Sequence, residues 1–179
     1  MIDGRGENLK IDCYVRADPR PESVNRLVAR LHDLASTGVV TELTVHSWPS
    51  RVDLDATAND QVLEIYRQFE QWAASHNAKI HPPFTVRHIN STMTGDTRYE
   101  LVTPVLCLAL SISQDLTGVV PHTAAGKTYT AQDVVDTLEA GDALDTLSPA
   151  IQIPPHHDDE HAKIDASASD DPPIVPDPP

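Results

Sequence analysis

From Leu9 to Arg16 the chain alternates strictly, with Leu9, Ile11, Cys13 and Val15 on one face and Lys10, Asp12, Tyr14 and Arg16 on the other. A period of two fits a strand with one buried face and no helix. Pro19 and Pro21 break the pattern. From Glu22 the apolar residues Val24, Leu27, Val28, Leu31, Leu34 and Ala35 recur at helical spacing until Gly38, a residue suited to ending a helix. Period two returns from Thr41 to Trp48 and stops at Pro49. Strand, helix and strand in this order read as a crossover unit, because the helix gives the chain the length it needs to bring the second strand back parallel to the first.

The same spacing predicts a second helix over 59–77, with Val62, Ile65, Tyr66, Phe69, Trp72 and Ala73 on one stripe. Rings at that spacing bury large areas and belong to a core. Pro82 and Pro83 follow, then a short strand near 84–89 and a polar loop, 90–97, turning at Gly95-Asp96. Pro104 interrupts the most apolar run, 99–112, after which Leu106, Leu108, Leu110 and Ile112 alternate. Ser113-Gln114-Asp115 turns this run back into 116–122, and Ala124-Ala125-Gly126-Lys127 turns that segment into Thr128-Tyr129, which gives an antiparallel meander. Thr130 is placed to cap a third helix with Asp133 three residues on; Val134, Val135 and Leu138 form its buried face and Gly141 ends it.

These elements predict an α+β domain over residues 9–149, behind a flexible segment 1–8. Its mixed sheet has about five strands, from the N-terminal β-α-β crossover to the C-terminal meander, and two to three helices pack mainly on one face. The arrangement expected is ferredoxin-like with an added hairpin. From 150 to 179 the composition becomes rich in Pro, His and acidic residues and offers too little apolar surface to offset chain entropy, so a disordered tail is expected.

Charge bears on the solvent. The chain has 19 Asp and 8 Glu against 9 Arg and 4 Lys, a formal net charge of −14. Of this, −8 lies before Pro149 and −6 after it. A folded part that is itself acidic and nearly free of Lys matches a protein kept soluble at very high salt, where the Debye length of about 3 Å screens self-repulsion. A salt-in halophile is the expected source. No apolar run approaches the roughly 18 residues that span a bilayer, and the first residues have no signal-peptide apolar region. The expected compartment is the cytoplasm, with no membrane partner.

Several groupings could carry chemistry. Ala125-Gly126-Lys127-Thr128 resembles the end of a phosphate-binding loop, but that loop needs a glycine at 121, where this chain has Pro, and a following helix. A β-turn between two strands is the reading here. His156, His157 and His161 stand beside Asp158, Asp159 and Glu160 and have the atoms of a metal site without a scaffold to hold them. Cys13 and Cys107 lie in apolar strands and should be buried and inert. No metal, cofactor or catalytic residue is assigned. Trp48 and Arg51 follow one another at a strand end, where an aromatic face and a guanidinium could hold a carboxylate or phosphate. Arg16, Arg20, Arg26 and Arg30 form the one local concentration of positive charge, offset by Asp18, Glu22 and Asp33. No helix-turn-helix with a basic recognition helix is visible.

The first strand ending Val15-Arg16, the helix 24–35, the runs Val45-His46-Ser47-Trp48-Pro49-Ser50-Arg51-Val52 and Glu100-Leu101-Val102-Thr103-Pro104-Val105, and Lys127-Thr128-Tyr129-Thr130-Ala131-Gln132-Asp133-Val134 resemble a group of small haloarchaeal proteins labelled helix-turn-helix domain proteins. The resemblance covers about residues 9–141. It implies a DNA-binding transcriptional regulator. The residues taken alone point to a non-catalytic regulatory or protein-interaction module, and a small-molecule pocket or enzyme site near Trp48 and Arg51 is a third possibility.

Overall fold

The computed structural model describes residues 8–17 and 19–154. The expected flexible segment 1–8 lies outside that range except for Asn8, and the tail from 155, with His156, His157 and His161, lies wholly outside it. In chain order the elements are β1 (Leu9–Arg16), α1 (Glu22–Ser36), β2 (Glu42–Trp48), β3 (Arg51–Asp53), α2 (Asp60–Ser75), β4 (Ala78–Lys79), β5 (Thr85–Asn90), β6 (Thr97–Val102), β7 (Leu106–Ile112), β8 (Asp115–Val120), β9 (His122–Ala124), β10 (Lys127–Tyr129) and α3 (Ala131–Ala140). The fold is α+β. Its strands form a four-stranded mixed sheet, β2-β1-β7-β8, and two three-stranded sheets, β10-β9-β4 and β3-β6-β5. Single-sheet alternation cannot show that division, because short strands are defined by their partners.

The N-terminal unit forms as its pattern requires. β1 pairs parallel with β2, from Lys10 opposite Glu42 to Arg16 opposite Trp48, and antiparallel with β7 on its other side. The two crossover strands are direct neighbours, whereas a ferredoxin-like unit is split by an intervening strand. β2 is thus an edge strand, which fits its largely exposed residues. One face of the sheet presents Leu9, Ile11, Cys13 and Val15 opposite Ile112, Leu110, Leu108 and Leu106. Val24, Leu27, Leu31 and Leu34 of α1 and Val134, Val135 and Leu138 of α3 supply buried residues for the same core. Arg30 joins these two helices through Asp136 at 2.6 Å and Glu139 at 2.6 Å.

The opposite face carries Tyr14, His46 and Trp48, stacked in series, with Phe69 of α2 against the Tyr14 edge and Phe84 against Trp48. The aromatic stripe of α2 is core, as its spacing indicates, with Leu63, Tyr66, Phe69, Trp72 and Ala73 buried. The expected meander is split into two hairpins in different sheets, β7-β8 and β9-β10, which close through two-residue turns at positive φ, Ser113-Gln114 and Ala125-Gly126. α3 starts in a complete Thr130–Asp133 capping box and ends at Gly141 in the left-handed conformation. The core includes Ala150 and Ile151, just past the boundary that composition indicated at 149. Ile151 packs closely on Gly118, where an added Cβ would meet it at 3.0 Å.

Candidate functional site

The strongest surface feature lies where the four-stranded sheet meets β3-β6-β5. β2 passes into β3 through Pro49 and Ser50, and β6 passes into β7 through Thr103, Pro104 and Val105. The two connections are tied together: the Thr103 hydroxyl donates to the Pro49 carbonyl at 2.7 Å, and the Thr103 amide donates to Ser50 at 3.1 Å. The indole N–H of Trp48 donates to the Pro104 carbonyl at 3.2 Å. Above this junction opens a cleft of about 460 Å³ lined by Arg16, Arg51 and Arg87 with Ser50, Pro19, Pro21, Val102 and Val105.

Each arginine reaches the cleft from a different element: Arg16 from the end of β1, Arg51 from the start of β3 and Arg87 from β5. Pairing places Arg51 opposite Val102 and Arg87 opposite Glu100, with Arg98 opposite Ile89 further along. Val102, Glu100 and Arg98 alternate along β6, so Arg51, Arg87 and Arg98 share one face of this sheet. Arg16 donates to the Thr103 carbonyl, and its Nε is buried with no hydrogen-bond partner among the described residues. Glu100 and Asp53 lie on the same face; Glu100 is nearly buried with Oε2 unpartnered, and Asp53 accepts from the Asp55 amide. No ion pair closes between Arg87 and Glu100.

The arginines divide cleanly. Arg5 lies outside the described residues, and Arg26, Arg30 and Arg67, all on helices, are engaged by carboxylates. Arg16, Arg20, Arg51, Arg87 and Arg98 have no carboxylate partner among the described residues. Guanidinium groups in this position can grip a phosphate or carboxylate through paired N–H donors.

The structure separates the two residues that stand together in sequence. Arg51 lines the cleft, whereas Trp48 is 3% exposed, is not among the cleft's lining residues, and donates its N–H to the Pro104 carbonyl. Arg16 and Arg87 were not legible as site residues. They lie far apart in sequence; Arg16 stands out only as a polar strand position within the local concentration of arginines from 16 to 30, and Arg87 only by its polar position beside Val86. The Ala125–Thr128 segment is the turn between β9 and β10. Desolvation raises the buried Cys13 thiol to about 12, against a smaller opposing effect of Arg20, and raises Cys107 well above the ordinary range. Neither is a thiolate nucleophile. Among the described residues no group of three or more His, Cys, Asp or Glu side chains is arranged to hold a metal ion, and no helix is long and apolar enough to cross a membrane.

A family model described as a helix-turn-helix domain matches residues 3–143, nearly the whole described chain. The chain belongs to this helix-turn-helix domain family. No curated protein and no solved structure matches it. In this family member, β2 and β3 separate α1 from α2, and seven strands separate α2 from α3. Among the described residues, therefore, no two helices are joined by the short turn that defines the motif. The helices also lack free positive charge: α3 has Asp133, Asp136 and Glu139 and no basic residue, and α2 sets Asp60, Glu64 and Glu70 against Arg67 alone.

Proposed function

We propose that this protein is a non-catalytic regulatory module that binds double-stranded DNA through its arginine-lined cleft. One observation carries the reading: every described arginine on a helix is engaged by carboxylates, while Arg16, Arg51 and Arg87 converge on one cleft with no such partner. Family membership supports it independently. A net charge of −14 is compatible with a DNA partner if the protein works in molar salt, because a Debye length of about 3 Å removes long-range repulsion and leaves direct guanidinium–phosphate contacts.

The test is binding of a fluorescent mixed-sequence duplex, followed by anisotropy across the salt range in which the protein stays folded. We expect binding whose logarithm falls linearly with the logarithm of salt. Arg51→Gln and Arg87→Gln should each make that slope shallower by about one and weaken all sequences alike. Absence of binding at every salt concentration that keeps the protein folded would refute the reading.

A further inference from the structure

We propose that the ribbon formed by β5 and β6 enters the major groove of DNA, in place of a recognition helix. The inference rests on the DNA-binding reading and adds to it the element that reads the duplex. From Val86 to Tyr99 twelve of fourteen residues are exposed, Ile89 and Ser91 being half-buried, so both faces of the ribbon stand clear of the body. β3 covers only Glu100, Leu101 and Val102 of β6. Beyond that point the sheet is two strands alone, an arrangement that is marginal in water without a partner. It nevertheless exposes Val86 at 44%, Tyr99 at 50% and Met93 at 96%.

Charge selects the partner. The segment 86–99 holds Arg87 and Arg98 against Asp96, a positive excess within a chain of −14. The sheet face bearing Arg87 and Arg98 also bears Arg51, with Glu100 and Asp53 among them, so three guanidinium groups outnumber two carboxylates between the ribbon and the cleft. A polyanion complements that surplus, and a B-form major groove admits a two-stranded ribbon. Six residues per strand give a reach of about 20 Å. Arg98, on the same face as Arg51 and Arg87, brings the side chain that pairs with guanine edges, and Met93 at the tip brings an apolar group suited to a thymine methyl. With the ribbon in the groove, Arg51 and Arg87 at its base fall to the flanking phosphates. Base contacts and phosphate contacts are thereby assigned to different residues.

The test uses the full chain in molar KCl. A preferred sequence is selected from a randomised duplex pool, and affinities are then measured for that duplex and a mixed-sequence duplex. We expect Arg98→Ala to cut the preference for the selected duplex by about 5- to 150-fold and Met93→Ala to reduce it by less, both changing mixed-sequence binding far less. Both side chains are exposed, so folding is retained, and hydrogen exchange of the wild-type ribbon amides should slow when duplex is added. If wild-type protein binds DNA but these variants keep its preference and the ribbon amides exchange unchanged, the ribbon assignment is overturned and the DNA reading stands. If wild-type protein binds no duplex, the reading itself fails. Protection of the ribbon by a protein fraction and not by duplex would also overturn the assignment.

Discussion

His122 shows how a single residue can set a pH limit. It is fully buried; Nδ1–H donates to the Val119 carbonyl at 2.6 Å, and Nε2 accepts from the Ser148 hydroxyl at 2.7 Å. The carbonyl can only accept, which fixes the tautomer. Burial lowers the imidazole below its ordinary 6.5, more strongly than the Val119 contact raises it. The unfolded chain therefore binds a proton more readily than the folded one, so the stability due to neutral His122 is complete above 6.5 and is lost as pH falls through the folded value. We expect the thermal midpoint to drop on acidification from 6.5 down to the folded value, and His122→Gln to start lower at neutral pH and show a shallower drop. An equal acid slope in both proteins would contradict this. The two buried thiols give a second expectation: Cys13 and Cys107 should resist a thiol reagent in the native state and react only at the rate of unfolding, as followed by mass spectrometry.

At the scale of elements, α1 and α3 are held by effects that separate cleanly. Leu31 is fully buried on α1, and Leu31→Ala should cost about 2–5 kcal/mol in a denaturant titration, transfer loss and cavity combined. The Thr130 side chain accepts from the Asp133 amide while Asp133 returns a bond to the Thr130 amide, so Thr130→Ala should cost about 1 kcal/mol. These helices were legible because periodicity, capping and stop signals agree along one stretch of chain. β3, β4, β9 and β10 have two or three residues each and carry no period of their own. Their identity comes from pairing: β3 on β6 and β4 on β9 join segments far apart in sequence, while β9 and β10 pair across the Ala125-Gly126 turn.

For the whole molecule, the charge bias is a statement about solvent. We propose that the −8 carried before Pro149 is an adaptation to molar salt, where the short Debye length screens the self-repulsion that this charge brings. The apparent stability should then fall steeply as KCl is diluted, as read by circular dichroism melts at stepped salt. An unchanged melting temperature in dilute buffer would sink the proposal. The ion pairs of Arg30 are not enough to offset this repulsion, since both of its partners are largely solvated and exposed pairs contribute little.

The sequence by itself determined the local elements and the class of fold: one strand, one helix and a parallel return strand, then an aromatic helix, two tight hairpins and a capped helix. Each is written in a period of two or 3.6, in a cap or in a turn residue, all of which act within a few positions of chain. Only the tertiary structure divided the strands among three sheets, made the crossover strands immediate neighbours, and turned Trp48 inward while leaving Arg51 at the cleft. It also gathered Arg16, Arg51 and Arg87 at one cleft, set Arg98 on the same sheet face as Arg51 and Arg87, and paired the helical arginines with carboxylates. Whether a charge is neutralised depends on which side chain lies within a few ångströms of it. Strand pairing and helix packing set those distances, and they join residues that have no local signal in common.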